Sequence, residues 1–228
     1  MRPYVVVNVA VSADGKLSTR ERRQVKISGK QDFERVDELK ATSDAVMVGI
    51  GTVLADNPSL TIKSPERISA RVKSGRSEHP VRIVVDSSAR TPPDAKILHK
   101  GSGKRLIAVS ESASEGLITS LSDYADIIRA GYGKVDLTML LEELYQINIR
   151  FLMVEGGGTL IWSLLSAGLV DELFVFTGKI IIGGLNAPTL ADGQGFTIES
   201  EFPRLECISA DISDEGVLIH WKVQNFGL

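Results

Sequence analysis

A chain of 228 residues is long enough for one large or two small domains with a substantial core, and its 43% hydrophobic and 24% charged residues are those of a soluble globular protein. A formal net charge of −3 gives no electrostatic reason to expect nucleic acid or an anionic membrane as partner. The single cysteine, Cys207, excludes an internal disulfide and a thiolate metal site, and His79, His99 and His220 show no metal-ligand spacing. Cys207 is expected to be a buried structural thiol, and no metal is expected. No signal peptide is read before the first strand, and no apolar run approaches the ~18 residues of a membrane span. The expectation is a soluble, cytoplasmic protein.

Tyr4–Val11 (Y-V-V-V-N-V-A-V) is a nearly continuous β-branched run, the pattern of a strand buried on both faces. Asn8 interrupts it. A buried amide needs partners, so Asn8 is either satisfied by neighbouring backbone or turned towards a pocket. A turn at Ser12–Lys16 follows, with Asp14-Gly15 supplying the positive φ. The next loop carries Lys16, Arg20, Arg22, Arg23, Lys26 and Lys30 against Glu21 alone, which suits a solvated loop or the flank of an anionic ligand. Ser28 is placed to cap a helix over Lys30–Thr42, whose stripe is Phe33, Val36 and Leu39.

Ala45–Val48 is a second buried strand. It delivers Gly49, Gly51 and Thr52 to a short helix that Asn57-Pro58 stops. Leu60–Pro80 lacks a helical stripe and reads as a long surface loop with a short strand at Leu60–Lys63. Val81–Val85 is a strand ending in Asp86-Ser87-Ser88-Ala89-Arg90, a cluster that suits a monoester phosphate and equally suits plain turn chemistry. Arg105–Val109 is a strand, Ser112–Leu121 weakly helical, Ala125–Ala130 a short strand, and Leu137–Gln146 a helix.

Phe151–Leu165 (F-L-M-V-E-G-G-G-T-L-I-W-S-L-L) is the most distinctive stretch: a buried strand, Glu155, three glycines, and a helix over Leu160–Ala167. Gly156, Gly157 and Gly158 let backbone N–H groups approach a ligand, and the helix N-terminus adds donors and partial positive charge, so a phosphate is the natural guest. A merely tight turn would carry the same glycines. Glu172–Thr177 is a strand, Lys179–Asn186 an apolar strand end with a glycine turn, and Leu205–Ala210 with Val217–Val223 a hairpin turning at Asp214-Glu215-Gly216. Strands alternating with helices to about residue 180, then strands alone, give an α/β fold in a single domain, 1–228. Its sheet is mostly parallel but mixed, flanked by helices and extended by a C-terminal antiparallel hairpin. G-I-G-T-V-L-A lacks the third Rossmann glycine, although Ala55 can stand in for it, and there is no P-loop or H-E-x-x-H. The lack of an acid–base constellation suits a redox cofactor that carries its own chemistry.

Taken in order, V-S-A-D-G-K (Val11–Lys16), K-I-S-G (Lys26–Gly29), V-G-I-G-T-V-L-A-D-N-P-S-L-T (Val48–Thr61), V-D-S (Val85–Ser87), V-E-G-G-G-T-L (Val154–Leu160) and G-L-V-D-E-L (Gly168–Leu173) resemble the riboflavin-biosynthesis reductase family. The resemblance spans nearly the whole chain. It implies a dihydrofolate-reductase-like fold, NADPH as cofactor, a phosphorylated ribosylaminopyrimidine as substrate and a homodimer. By position it implies cofactor contacts at Thr52, Asp56 and Ser87, with Ser88 and Arg90 beside the last, and at Gly156, Gly157, Gly158, Thr159 and Leu160. The substrate side falls at or near Asn8, Asp14, Ser28, Lys40, Leu60, Lys63 and Glu155. Glu155, Asp56 and an ordered water are the candidate sources of the catalytic proton. The chain shows no H-x-E and P-C-x-x-C deaminase pair, and has Asn8 where bifunctional members tend to have Lys. Both features resemble the stand-alone archaeal and fungal type, whose substrate is 2,5-diamino-6-(ribosylamino)-4(3H)-pyrimidinone 5′-phosphate. The deaminated pyrimidine, dihydrofolate and a non-catalytic nucleotide-binding role are the competing expectations.

Overall fold

The structure is a computed structural model and describes residues 1–224. The chain divides into two compact units, Met1–Pro3 with Val36–Met153, and Tyr4–Arg35 with the chain from Val154 on.

The first unit is built on β2 (Ala45–Gly49), β3 (Val81–Val85), β4 (Arg105–Val109), β5 (Asp126–Arg129) and β6 (Phe151–Val154), in the order β5-β4-β3-β2-β6. Pairs β2–β3, β3–β4 and β4–β5 are parallel, with Val48 opposite Val84 and Val84 opposite Ile107. Val46–Val48, Ile83–Val85 and Leu106–Val109 are apolar throughout because parallel strands covered on both faces leave no solvent side. Helices α2 (Ile50–Asp56), α3 (Pro65–Lys73), α4 (Lys96–His99), α5 (Glu115–Ser122) and α6 (Leu137–Gln146) connect them. Val46, Val48, Val53, Leu60, Ile97 and Ile107 share one buried core.

Three local features differ from expectation here. The polar stretch after Lys63 holds α3, because Ser64 accepts a bond from the Arg67 N–H and Pro65 occupies the first turn, where its missing N–H costs nothing. Leu60–Lys63 is not a strand, although Leu60, Thr61 and Ile62 are buried. Arg82 lies within β3 and is fully buried, its guanidinium donating to the carbonyls of Lys100, Ser102 (2.6 Å) and Gly103 (3.1 Å). Burial, then the charge of Arg105, lowers its pKa to about 10.

The second unit contains β1 (Tyr4–Val11), β7 (Glu172–Thr177), β9 (Gly216–Gln224) and β8 (Arg204–Ser213), in the order β1-β7-β9-β8. β1 and β7 are parallel; β7–β9 and β8–β9 are antiparallel, so the mixed sheet ends in the expected hairpin. Asp214 and Glu215, with φ of 49° and 63°, turn it. Cys207 is exposed, contrary to expectation. Among the described residues β8 pairs with β9 alone, and most of its side chains face solvent. Lys179–Asn186 leaves the sheet and forms no strand: Ala13 N–H donates to the Ile180 carbonyl at 2.8 Å, and the Asp14 carboxylate gathers the N–H groups of Ile182 and Gly183.

Helix α1 (Lys30–Thr42) runs from the second unit into the first with the expected bounds. Of its expected stripe, Val36 and Leu39 pack partly buried against the core, and Phe33 does not. Phe33 is 52% exposed while Asp32 and Asp37 are buried, because this face is held by hydrogen bonds to carboxylates rather than by apolar packing alone. In its first turn the Asp32 N–H donates to Asp214 Oδ2 at 2.7 Å, so that donor is met by the hairpin turn and not by Ser28.

Candidate functional site

In the second unit, β6 ends at Val154, and Glu155 leads into Gly156 and Gly157, joined by a cis peptide bond. α7 (Gly158–Ser166) opens immediately after. Gly156 has φ of 111°, a region that side chains rarely adopt. Gly157 is the N-cap and provides no side-chain bond, so the first N–H groups of α7 lack a side-chain acceptor and form an anion-compatible terminus. Thr159 and Leu160 lie in that first turn. Gly158 is glycine for a different reason: a Cβ there would press on the Thr189 carbonyl and approach Asp192 Oδ2 to 2.8 Å. Asp192 accepts from the Thr189 N–H (3.0 Å) and hydroxyl (2.6 Å), and its own N–H donates to the Gly158 carbonyl (3.1 Å). The 189–192 turn thus backs the helix start, a support that nothing in G-G-G-T-L signals.

Asn8 is 7% exposed, and its Oδ1 accepts from Arg35 Nη2 at 2.6 Å, so its partner is a side chain rather than neighbouring backbone. Asp14 accepts from the Ser12 hydroxyl (2.6 Å), Ile182 N–H (3.0 Å) and Gly183 N–H (2.7 Å). These bonds, the Ser12 hydroxyl foremost, lower its pKa to about 2. Its carboxylate holds the 182–183 segment in place. Ser28 is buried beside Ile27, whose carbonyl lies where a Cβ on Gly178 would sit, 2.6 Å away. Arg20, Arg22, Arg23 and Lys26 follow one another along an exposed or half-exposed loop, where Arg23 pairs with Glu21 at 3.0 Å.

In the first unit, Thr52 and Asp56 stand four residues apart on α2, so a hydroxyl and a carboxyl share one helix face. Burial raises the Asp56 pKa. Asn57 ends the helix in the left-handed conformation and its Oδ1 accepts from the Lys96 N–H at 2.7 Å. At the end of β3, fully buried Asp86 uses Oδ2 to accept from the Thr91 N–H (2.7 Å) and hydroxyl (2.8 Å). Arg90 Nε lies 3.7 Å from its Oδ1, with the Arg90 side chain 58% exposed. Ser87 Oγ accepts from the Val135 N–H at 3.0 Å and keeps its own proton to donate, while Ser88 is exposed.

Leu60 has φ of 52° and is 3% exposed, so its side chain belongs to the core. Lys63 Nζ donates to the hydroxyls of Thr61 (2.8 Å) and Ser59 (3.1 Å). Asp37 clasps this loop from α1, accepting from the N–H groups of Lys63 (2.6 Å) and Ser64 (3.0 Å) and from Arg67 (3.2 Å). His79 Nδ1 accepts from the Ile62 N–H at 3.3 Å, and burial lowers its pKa. Lys40 is half-buried on the same helix as Asp37. The burial of Asp37 and His79 was not legible, because neither a charged residue in the polar α1 sequence nor a histidine in the irregular stretch before β3 carries a mark of burial. The contacts join Asn8 with Arg35, Lys63 with Ser59 and Thr61, Ser87 with Val135, and Arg90 with Asp86.

Among the described residues there is no group of three His, Cys, Asp or Glu that could hold a metal, and no helix long and apolar enough to cross a membrane. The model of the RibD C-terminal domain family matches residues 3–219. The chain is 48% identical over 208 residues to the 2,5-diamino-6-ribosylamino-4(3H)-pyrimidinone 5′-phosphate reductase of Archaeoglobus fulgidus, covering 91% of this chain and 94% of that protein. In fold it is similar to a pyrimidine reductase-like protein of Corynebacterium diphtheriae, with TM-score 0.78 and 19% identity over 97% of this chain and 92% of the other. A more distant similarity reaches dihydrofolate reductase of Enterococcus faecalis, with TM-score 0.51 and 12% identity over 96% of each chain. The α/β architecture is thus dihydrofolate-reductase-like.

Proposed function

The chain belongs to the RibD C-terminal domain family, and from this premise we propose that it is the reductase of riboflavin biosynthesis that converts 2,5-diamino-6-(ribosylamino)-4(3H)-pyrimidinone 5′-phosphate to its ribitylamino form. The observation that carries the reading is 48% identity over nearly the full length of a reductase of that name. We propose NADPH as the reductant, a hydride donor when bound. The α7 start fits such a group, because Gly157 leaves its first N–H donors without a side-chain cap, as a pyrophosphate requires. In this proposal Gly156, Gly157, Gly158, Thr159 and Leu160 bind the pyrophosphate, Thr52 and Asp56 contact the cofactor, and Ser87, Ser88 and Arg90 contact its 2′-phosphate. Asn8, Ser28, Lys40, Leu60, Lys63 and Glu155 bind the substrate, with Asp14 holding a neighbouring segment. The acceptor carbon is sugar C1′ of the ring-opened imine. The chain's task is to align that carbon and exclude water. A proton must also be supplied. Raised by burial, the Asp56 pKa favours the protonated form that a donor needs, and Glu155 is the other carboxyl of the proposal.

Both units serve one reductase domain, 1–228, in this proposal. Cytoplasmic placement and homodimerisation belong to it as well. The exposed apolar residues of β8, Leu205, Ile208 and Ile212, support a self-association that sedimentation velocity would test. The deciding assay follows NADPH consumption with the diamino pyrimidine, the deaminated pyrimidine and dihydrofolate side by side. Preference for the diamino compound is expected. Preference for either other compound changes the substrate, and tight NADPH binding without turnover of any supports a binding protein instead.

A further inference from the structure

One row of side chains crosses three strands of the second unit. Asn8 on β1 stands in register with Phe174 on β7, and Phe174 with His220 on β9, so the three share a face of the sheet. His220 stacks on Phe174 with ring centroids 4.0 Å apart, and its Nε2 lies 3.0 Å from Glu172 Oε2. Arg35 of α1 lies over this row, its guanidinium carbon 5.3 Å from the Phe174 centroid. One nitrogen, Nη2, donates both to Asn8 Oδ1 (2.6 Å) and to Asp32 Oδ1 (2.7 Å), and Nε donates to the same Asp32 oxygen (3.1 Å). Asp32 is itself buried, with its N–H on the Asp214 carboxylate.

A guanidinium has donors and no acceptor, so the amide of Asn8 must turn its oxygen to Arg35 and its NH2 away. That NH2 takes no partner among the described residues, although Asn8 is 7% exposed. The NH2 nitrogen is not a buried atom without a partner, so it is open to solvent and can meet an acceptor that a ligand brings. We propose that Arg35 is a positioning residue. It locks the Asn8 amide in one orientation, so that its NH2 donates to an uncharged acceptor oxygen of the phosphorylated substrate. The hydrogen-bonded chain Asp214–Asp32–Arg35 sets that orientation.

The inference deepens the reductase reading and rests on it for the identity of the ligand; the orientation itself is tested without substrate. The Asn8 side-chain amide pair in a nitrogen–proton correlation spectrum, assigned by its loss in Asn8→Ala, is expected to shift in Arg35→Ala and Arg35→Lys. In kinetics, Arg35→Ala is expected to raise the substrate KM on the order of tenfold, as for one lost hydrogen bond, with NADPH affinity within about twofold of wild type. Asn8→Asp keeps the acceptor for Arg35 but removes the donors, and should raise KM at least as much. The double variant Asn8→Ala/Arg35→Ala should be no worse than Asn8→Ala, since Arg35 acts through Asn8. Should Arg35→Ala not fold, Arg35→Lys retains the charge without the planar fork and carries both measurements. Amide signals indifferent to Arg35, a wild-type KM for Asn8→Asp, or multiplying effects in the double variant would each overturn the inference. A wild-type protein that turns over no pyrimidine, with the amide signals still dependent on Arg35, would overturn the function and leave the positioning standing.

Discussion

Replacing Asp37 by Asn tests whether one buried carboxylate holds the loop that carries Lys63. Its Oδ1 accepts from the Lys63 N–H at 2.6 Å, and its Oδ2 from the Ser64 N–H at 3.0 Å and Arg67 at 3.2 Å. Asn preserves one oxygen; at the other position an NH2 faces donors. The loss is then one hydrogen bond to a charged acceptor, about 1.5–3 kcal/mol. The Arg67 ion pair, 29% exposed on the arginine side, adds at most about 0.5 kcal/mol. A total near 2–3 kcal/mol follows, divided between global stability and local opening of 59–64. Urea unfolding with unchanged slope reads the first part. A rise in substrate KM of roughly 10-fold, with kcat and NADPH affinity retained, reads the second. A variant that loses under about 0.5 kcal/mol and keeps its KM would show that the clasp is dispensable and refute the reasoning.

Other perturbations address the remaining groups. Gly158→Ala places a Cβ 2.8 Å from Asp192 Oδ2 and against the Thr189 carbonyl, so a stability loss of about 1–3 kcal/mol and weaker NADPH binding are expected by calorimetry; wild-type values of both would remove the packing argument. If Ser87 and Arg90 hold the 2′-phosphate with two bonds of about 1.5 kcal/mol each, Ser87→Ala with Arg90→Ala raises the NADPH KM roughly 100-fold and leaves NADH unaffected, whereas equal losses with both cofactors defeat the assignment. For Asp14, a folded pKa of about 2 lies below the ordinary 3.8, so its stabilisation is complete above the ordinary value and fades as pH falls from there towards 2. Asp14→Asn should therefore flatten the acid side of the melting-temperature profile in that window, and parallel profiles would contradict the role of its bonds to Ser12, Ile182 and Gly183.

Much of the backbone plan is local and was legible. Tyr4–Val11, Val81–Val85 and Arg105–Val109 announce buried strands through unbroken β-branched and apolar runs, and Leu137–Gln146 a helix through its three- and four-residue leucine spacing. The glycine junction before α7 is legible too, because a positive φ and an uncapped helix start depend on neighbours in the chain. α3 is hard to read in the sequence because the residue it buries is Arg71, whose guanidinium donates to the carbonyls of Ala41, Ser43 and Ser77, and a polar residue does not announce a buried face. Cys207 was misplaced because the edge position of β8 depends on which strands pair, and alternation within a strand does not reveal that.

By itself the sequence determined the order and type of most elements and the family. Only the tertiary structure decided what those residues are held by. Arg35 meets Asn8 across 27 residues, Asp37 meets Lys63 across 26, and Asp214 meets the Asp32 N–H across 182. Period and turn chemistry act over a few residues, whereas the partner of a buried charge is selected by the long-range closure of the chain. For that reason Gly156–Gly158 could be seen in advance as a glycine junction that opens a helix, while the reason Gly158 must be glycine lay in Thr189 and Asp192, some thirty residues further on.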